Sequence, residues 1–201
     1  MPSVMTAFAG GGDYVAPLFA RNPQEFQRVI ALRSGRTAVR RLRLDEIGPL
    51  LEAARTAIGT GMAAEEVVER VALQQPDALW AFTRNQRLVG CLALLMLNAA
   101  GVEALLSGRV DFRDPAPIFL AEAFDTPAAI YVWALLAPAL AVDGVAEVML
   151  RLRGPRYDSA NIYAFQATDG GANLLRRLGF HPVSGCCRGL SQYVRFANRS
   201  Q

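Results

Sequence analysis

Residues 138 to 146 read PALAVDGVA and close the most apolar run of the chain, with Asp143, Gly144 and Ala146 where a helix would begin. Small residues at a helix start let an anion approach the backbone N–H groups, and the helix dipole favours negative charge there. The chemistry open to this stretch is therefore phosphate binding. Asp143 can oppose it, because Asp is a strong helix N-cap whose carboxylate fills the same donors an anion would use.

Other chemistry-bearing residues are few. Cys91, Cys186 and Cys187 are too few for a disulfide framework, and the adjacent pair has no metal-ligand spacing to a His or another Cys. A reducing compartment follows, and a cytoplasmic location is expected. Cys91 lies in an apolar run and reads as a small buried hydrophobe. A nucleophilic thiol at Cys186 has no support from its neighbours. Tyr163, His181 and Tyr193 are candidates for proton transfer, each of which also reads as a packing or surface residue. No acid lies between Ile130 and Val142, so no general base is visible beside the loop. All 21 basic residues are Arg, against 18 acids, for a net charge of +3. Five of them fall between Arg33 and Arg43 with no aromatic interleaved, which reads as a solvated approach to a strand. Nucleic acid is not expected as a partner.

The elements that must position these residues follow from apolar periodicity. A chain of 201 residues, 52% hydrophobic, can bury one sizeable core. Residues 1–36 read as an N-terminal extension. In it Asn22, Pro23 and Glu25 start a short amphipathic helix with Phe26, Val29 and Ile30 on one face. That face must dock on the main body or on another subunit, so a homodimer is one arrangement it allows. The main domain is read as 37–201. Thr37 to Leu44 forms a strand, Ile47, Leu50, Leu51, Ala54 and Ile58 a helix, and Val67, Val68 and Val71 a second helix closed before Pro76. Ala78 to Thr83 and Leu88 to Leu97 form a hairpin around the polar turn from Arg84 to Arg87. An insertion, residues 98–128, is far longer than an ordinary connection and reads as a lid or small subdomain; Phe112, Phe119, Leu120 and Phe124 suggest that it packs down. Ile130 to Leu136 is a strand buried on both faces, followed by a helix from about Asp143 to Leu152. Asn161 to Ala167 is a strand, Leu174, Leu175 and Leu178 mark a helix ended by Gly179, and Leu190 to Phe196 is the last strand. The apolar runs stop short of the ~20 residues a membrane helix needs, and the N-terminus lacks the pattern of a signal peptide.

This order, with LLRRLGF at Leu174 to Phe180 and PALAVDGVA before it, resembles the GCN5-related N-acetyltransferase superfamily over about residues 37 to 196. The resemblance implies an α/β (α+β) fold, with a mixed, mostly antiparallel central sheet of six to seven strands and helices on both faces. It also implies acetyl-CoA or another acyl-CoA as co-substrate. The family's loop usually runs Pro, two residues, Arg or Gln, two residues, Gly, one residue, Gly or Ala. Pro138, Gly144 and Ala146 match, whereas Ala141 replaces the Arg or Gln and Val142 stands where a glycine is common. The cofactor-binding residues implied are Leu135 and Leu136 for the pantetheine arm, Val142, Asp143, Gly144, Val145 and Ala146 for the pyrophosphate, and Thr168, which stands where the family often has an Asn. The family Tyr that protonates the departing thiolate is replaced by Leu175.

The activity implied is acyl transfer from a CoA thioester to an amine, on a small molecule or a protein, by direct attack in a ternary complex. Backbone groups of Trp133 to Leu136 would pair with the pantetheine arm, and an N–H there could polarise the thioester carbonyl. The missing side chains weigh little against this, because backbone N–H groups supply most of the grip on a pyrophosphate. The other reading is a catalytically silent relative that serves as a binding or assembly module, favoured by Ala141, Leu175 and the two unusual extensions.

Overall fold

The computed structural model describes residues 6–7, 37–58, 62–136, 142–165, 175–176, 179–185 and 189–194. In chain order the strands are β1 (Thr6–Ala7), β2 (Ala38–Arg41), β3 (Leu79–Arg84), β4 (Arg87–Leu97), β5 (Ala129–Leu136), β6 (Asn161–Phe165), β7 (His181–Pro182) and β8 (Leu190–Tyr193). The helices are α1 (Ile47–Ile58), α2 (Glu65–Gln74), α3 (Ala99–Leu106) and α4 (Val142–Arg151). The sheet runs β2-β3-β4-β5-β6-β8-β7, with β1 added alongside β5. β5 pairs parallel with β6 and with β1, and every other pairing is antiparallel. The expected mixed, mostly antiparallel sheet is thus observed.

Alternation along the central strands, strict on β4, builds two cores. On β4, Leu92, Leu94 and Met96 enter one, while Ala93, Leu95 and Leu97 enter the other. The first core is closed by Val145, Val148 and Met149 of α4, together with Leu175 and Phe180. The second is closed by Ile47 and Leu51 of α1, Val68 and Val71 of α2, Leu105 of α3 and Phe112. A sheet apolar on both faces needs helices on both, which is why β4 and β5 read as continuous apolar runs rather than alternating ones.

Several boundaries differ from the sequence expectation. The first strand ends at Arg41 rather than Leu44, because Leu44–Glu46 turn as a 3-10 helix. Glu46 holds that turn: its carboxylate accepts from the Arg43 backbone N–H at 3.0 Å and from both Arg40 guanidinium nitrogens at 2.6 and 2.5 Å. The hairpin turn has two residues, not four, with Asn85 and Gln86 at φ 49° and 62°. That is the geometry whose twist matches the flanking strands, so both strands extend one residue into the expected turn. The pair His181–Pro182, assigned to no element by periodicity, forms β7 at the sheet edge. The N-terminal helix around residues 22–30, and the ends of the last two expected elements, lie outside the described residues.

The insertion packs down. It starts with α3, capped by the Asn98 side chain accepting from the Gly101 N–H at 2.8 Å, and returns to the sheet through a bridge between Leu97 and Leu120. Gln75, 3% exposed, clamps the return: its Nε2 donates to the carbonyls of Met96 (2.7 Å) and Ala121 (2.9 Å), and its Oε1 accepts from Met96 N–H (3.0 Å). Nearby, the Asp77 carboxylate accepts from Arg41 (2.7 Å), Arg156 (3.3 Å) and the Tyr157 hydroxyl (2.6 Å), joining β2 to the loop after α4.

Replacing Gln75 with Leu keeps the volume but strips Met96 N–H, Met96 C=O and Ala121 C=O of this partner, and of the three Met96 C=O keeps the Ala121 N–H at 2.8 Å. At 1–3 kcal/mol per buried group left unpaired, a loss of about 2–4 kcal/mol is expected, seen as a lower urea midpoint with unchanged slope. An unchanged midpoint would show that the clamp is idle.

Candidate functional site

β5 departs from regular pairing at one residue. Opposite the adjacent pair Ala93 and Leu94 of β4 stand Ala134 and Val132, so Trp133 is an extra residue with no partner on β4. The facing pattern registers this bulge: Tyr131 and Trp133 enter the second core, Ala134 packs against the same core, and Leu135 enters the first. A bulge leaves ladder groups unpaired and bends its strand, and bulges recur beside active sites. The Trp133 indole N–H donates to the Phe112 carbonyl at 2.8 Å, which fastens the insertion to the bulge.

On its other side β5 loses its partner at the same level. Among the described residues, the parallel pairing with β6 (Asn161–Phe165) runs from Ala129 opposite Asn161 to Val132 opposite Ala164. Among the described residues, that edge beyond Val132 carries only β1, with Thr6 opposite Leu135 and Ala7 opposite Leu136. Bulge and parted strands therefore coincide, and they free backbone groups of β5 to pair with something other than its two long neighbours.

The first turn of α4 lies close by. The N–H groups of Val142, Asp143 and Gly144 stand ahead of the helix's own hydrogen-bond ladder, as at any helix start. Two glycines draw the layers together here. A Cβ on Gly144 would stand 2.6 Å from Cδ1 of Phe82 on β3, and one on Gly90 of β4 would strike the Leu136 carbonyl oxygen. Gly144 is thus a packing residue, required by the Phe82 ring. Asp143 is not the N-cap, because the helix already includes Val142. Its carboxylate accepts from the Gly144 N–H at 3.2 Å, so one of these donors is engaged by the chain itself. Val145 and Ala146 are buried beneath the turn, in the first core.

The structure brings Leu135 and Leu136 to the end of β5, and Val142 to Ala146 to the helix start that follows. Pro138, Ala141, Thr168 and Cys186 lie outside the described residues. Of the proton-transfer candidates, Tyr163 is buried in the second core, Tyr193 packs against Phe180 with ring centroids 5.7 Å apart, and His181 is exposed on β7. Cys91 is buried as expected; burial pushes its thiol up to about 12, against a smaller opposing effect of a hydrogen bond with the Leu136 backbone. Sequence reasoning missed Tyr131. It is fully buried, stacked on Phe112 with centroids 4.2 Å apart, and its hydroxyl has no hydrogen-bond partner among the described residues. Burial raises its phenol well above the ordinary range. Nothing in the apolar run AIYVWALL marks either this hydroxyl or the bulge.

No protein-family model matches the sequence, and no curated protein matches it. The likeness to known proteins is one of backbone. The loading GNATL domain of CurA from Lyngbya majuscula superposes with a TM-score of 0.53 at 12% identity, covering 79% of this chain and 97% of that one. A GNAT family acetyltransferase from Brucella melitensis, in complex with acetyl-CoA, gives 0.47 at 12% identity over 79% and 87%. The GphF GNAT-like decarboxylase, in complex with isobutyryl-CoA, gives 0.47 at 14% identity over 72% of each chain. The fold is GNAT-like, as in that loading domain.

Two substitutions test this geometry. Gly144→Ala should cost about 1–3 kcal/mol despite the gain in helix propensity, and combining it with Phe82→Leu should recover at least ~1 kcal/mol in a double-mutant cycle. Additive effects in denaturant unfolding would contradict the contact. Tyr131→Phe removes a buried hydroxyl without a partner and should raise stability by roughly 1 kcal/mol; a clear loss would mean that the hydroxyl is bonded.

Proposed function

We propose that the protein is an acyl-CoA-dependent acyltransferase acting on an amine, on a small molecule or a protein. The observation that carries this reading is the coincidence of three features at the end of β5: the bulge at Trp133, the parting from β6 after Val132, and the start of α4. An extended, amide-bearing arm needs a strand edge to pair with, a pyrophosphate needs helix N–H donors, and a thioester carbonyl needs a donor aimed at its oxygen. Leu135 and Leu136 would hold the arm, Val142 to Ala146 the pyrophosphate, with Thr168 a further contact. A backbone N–H at the bulge would face the carbonyl.

In the reaction the amine nitrogen bonds to the carbonyl carbon, the carbon–sulfur bond breaks, and the thiolate takes up the proton that the amine loses. The chain's part is largely to align and polarise. Tyr163 and Tyr193 are buried in packing and Cys91 holds its proton, so none of these supplies the base, and the amine loses its proton through water or the acceptor's surroundings.

One observation favours the silent reading: the Asp143 carboxylate occupies the Gly144 N–H and places negative charge where a pyrophosphate would sit. The two readings separate by experiment. With acetyl-CoA or a longer acyl-CoA at about 100-fold excess over Kd, the melting temperature should rise by roughly 5–10 °C. Release of free thiol on adding amines would then mark the transferase, and binding without release the silent module. A melting curve unmoved by any acyl-CoA at millimolar concentration would overturn the proposal. Asp143→Ala should tighten acyl-CoA binding about 3- to 10-fold by removing the like charge and freeing the Gly144 donor.

A further inference from the structure

The edge on which the proposed acyl-CoA site depends carries a strand of the chain itself. Thr6 and Ala7 run parallel to β5, opposite Leu135 and Leu136. These are the two residues assigned to the arm of the co-substrate. They lie on the side that β6 vacates after Val132, because their other side pairs with Leu92 and Cys91 of β4. One row of backbone donors and acceptors pairs with one extended partner at a time. A strand added to such an edge binds through its main chain, in the manner of β-augmentation.

Resting on the acyltransferase reading, we propose that β1 is an internal competitor: the N-terminal arm occupies the pantetheine edge, and an acyl-CoA binds by displacing it. The pairing suits a displaceable strand. It is parallel, the weaker ladder, so it shields the edge without closing it irreversibly. Apparent affinity then falls by the fraction of molecules in which the edge is free. The N-terminal extension thereby gains a regulatory role, since anything that draws it off β5 opens the site.

The test uses the full chain. Thr6→Pro with Ala7→Pro removes both backbone donors of β1, whereas Thr6→Val with Ala7→Val preserves them. By calorimetric titration with acetyl-CoA, the proline variant should bind roughly 10-fold more tightly than wild type, with the valine variant unchanged. Hydrogen exchange adds a second readout: saturating acetyl-CoA should deprotect the amides of residues 6 and 7 while residues 135 and 136 stay protected. Equal affinity in wild type and the proline variant, or protection of residues 6 and 7 that persists at saturation, overturns the competitor alone. Absence of binding in all three proteins overturns the acyltransferase reading and the competitor with it.

Discussion

Where Val132 and Ala134 of β5 face the adjacent residues Leu94 and Ala93 of β4, Trp133 stands between them without a counterpart, and the consequences spread in three directions. The strand changes the core it serves, from Tyr131 and Trp133 on one side to Leu135 on the other. Its parallel pairing with β6 ends one residue earlier, at Val132. The indole of the extra residue reaches the Phe112 carbonyl and fastens the insertion. A bulge costs ladder hydrogen bonds, and such a cost is tolerated where the bend serves a purpose. Here the bend coincides with the level at which the edge of β5 passes from β6 to β1.

The parts of the fold legible in the sequence were those governed by periodicity. Val67, Val68 and Val71 defined α2, and the runs on either side of Asn85 and Gln86 defined the hairpin. What was hidden lay where apolar residues are continuous. In AIYVWALL every register looks alike, so neither the extra residue nor the direction of each side chain could be extracted. The pairing of two residues near the N-terminus with a strand some 130 positions later has no local signature. At the candidate site, the residues were found but their roles shifted. Gly144 was read as room for a ligand and is packed against Phe82, while Asp143, read as a cap, sits inside the first turn.

The second core shows how a long insertion is made part of a domain. α3 and Phe112 contribute apolar surface, but polar contacts to backbone carbonyls set the position: Gln75 to Met96 and Ala121, Asn98 to Ile118 and Leu120, Trp133 to Phe112. Apolar contact alone is indifferent to small sliding movements, whereas a buried amide bonded at both ends is not. Phe124, expected to pack, is instead exposed, as is Ile118. The insertion therefore presents apolar surface outward as well as inward.

Cys91 adds a practical consequence. Its thiol lies buried on β4, opposite Leu136, and stays protonated through neutral pH because burial disfavours the thiolate. A thiol so placed reacts with an alkylating or disulfide reagent only in the moments when β4 and β5 part, since the thiolate is the reactive form and needs solvent. The chain thus carries a chemical clock at the end of its central strand pair. The rate at which that sulfur is labelled reports the opening of this part of the sheet, without any substitution in the chain.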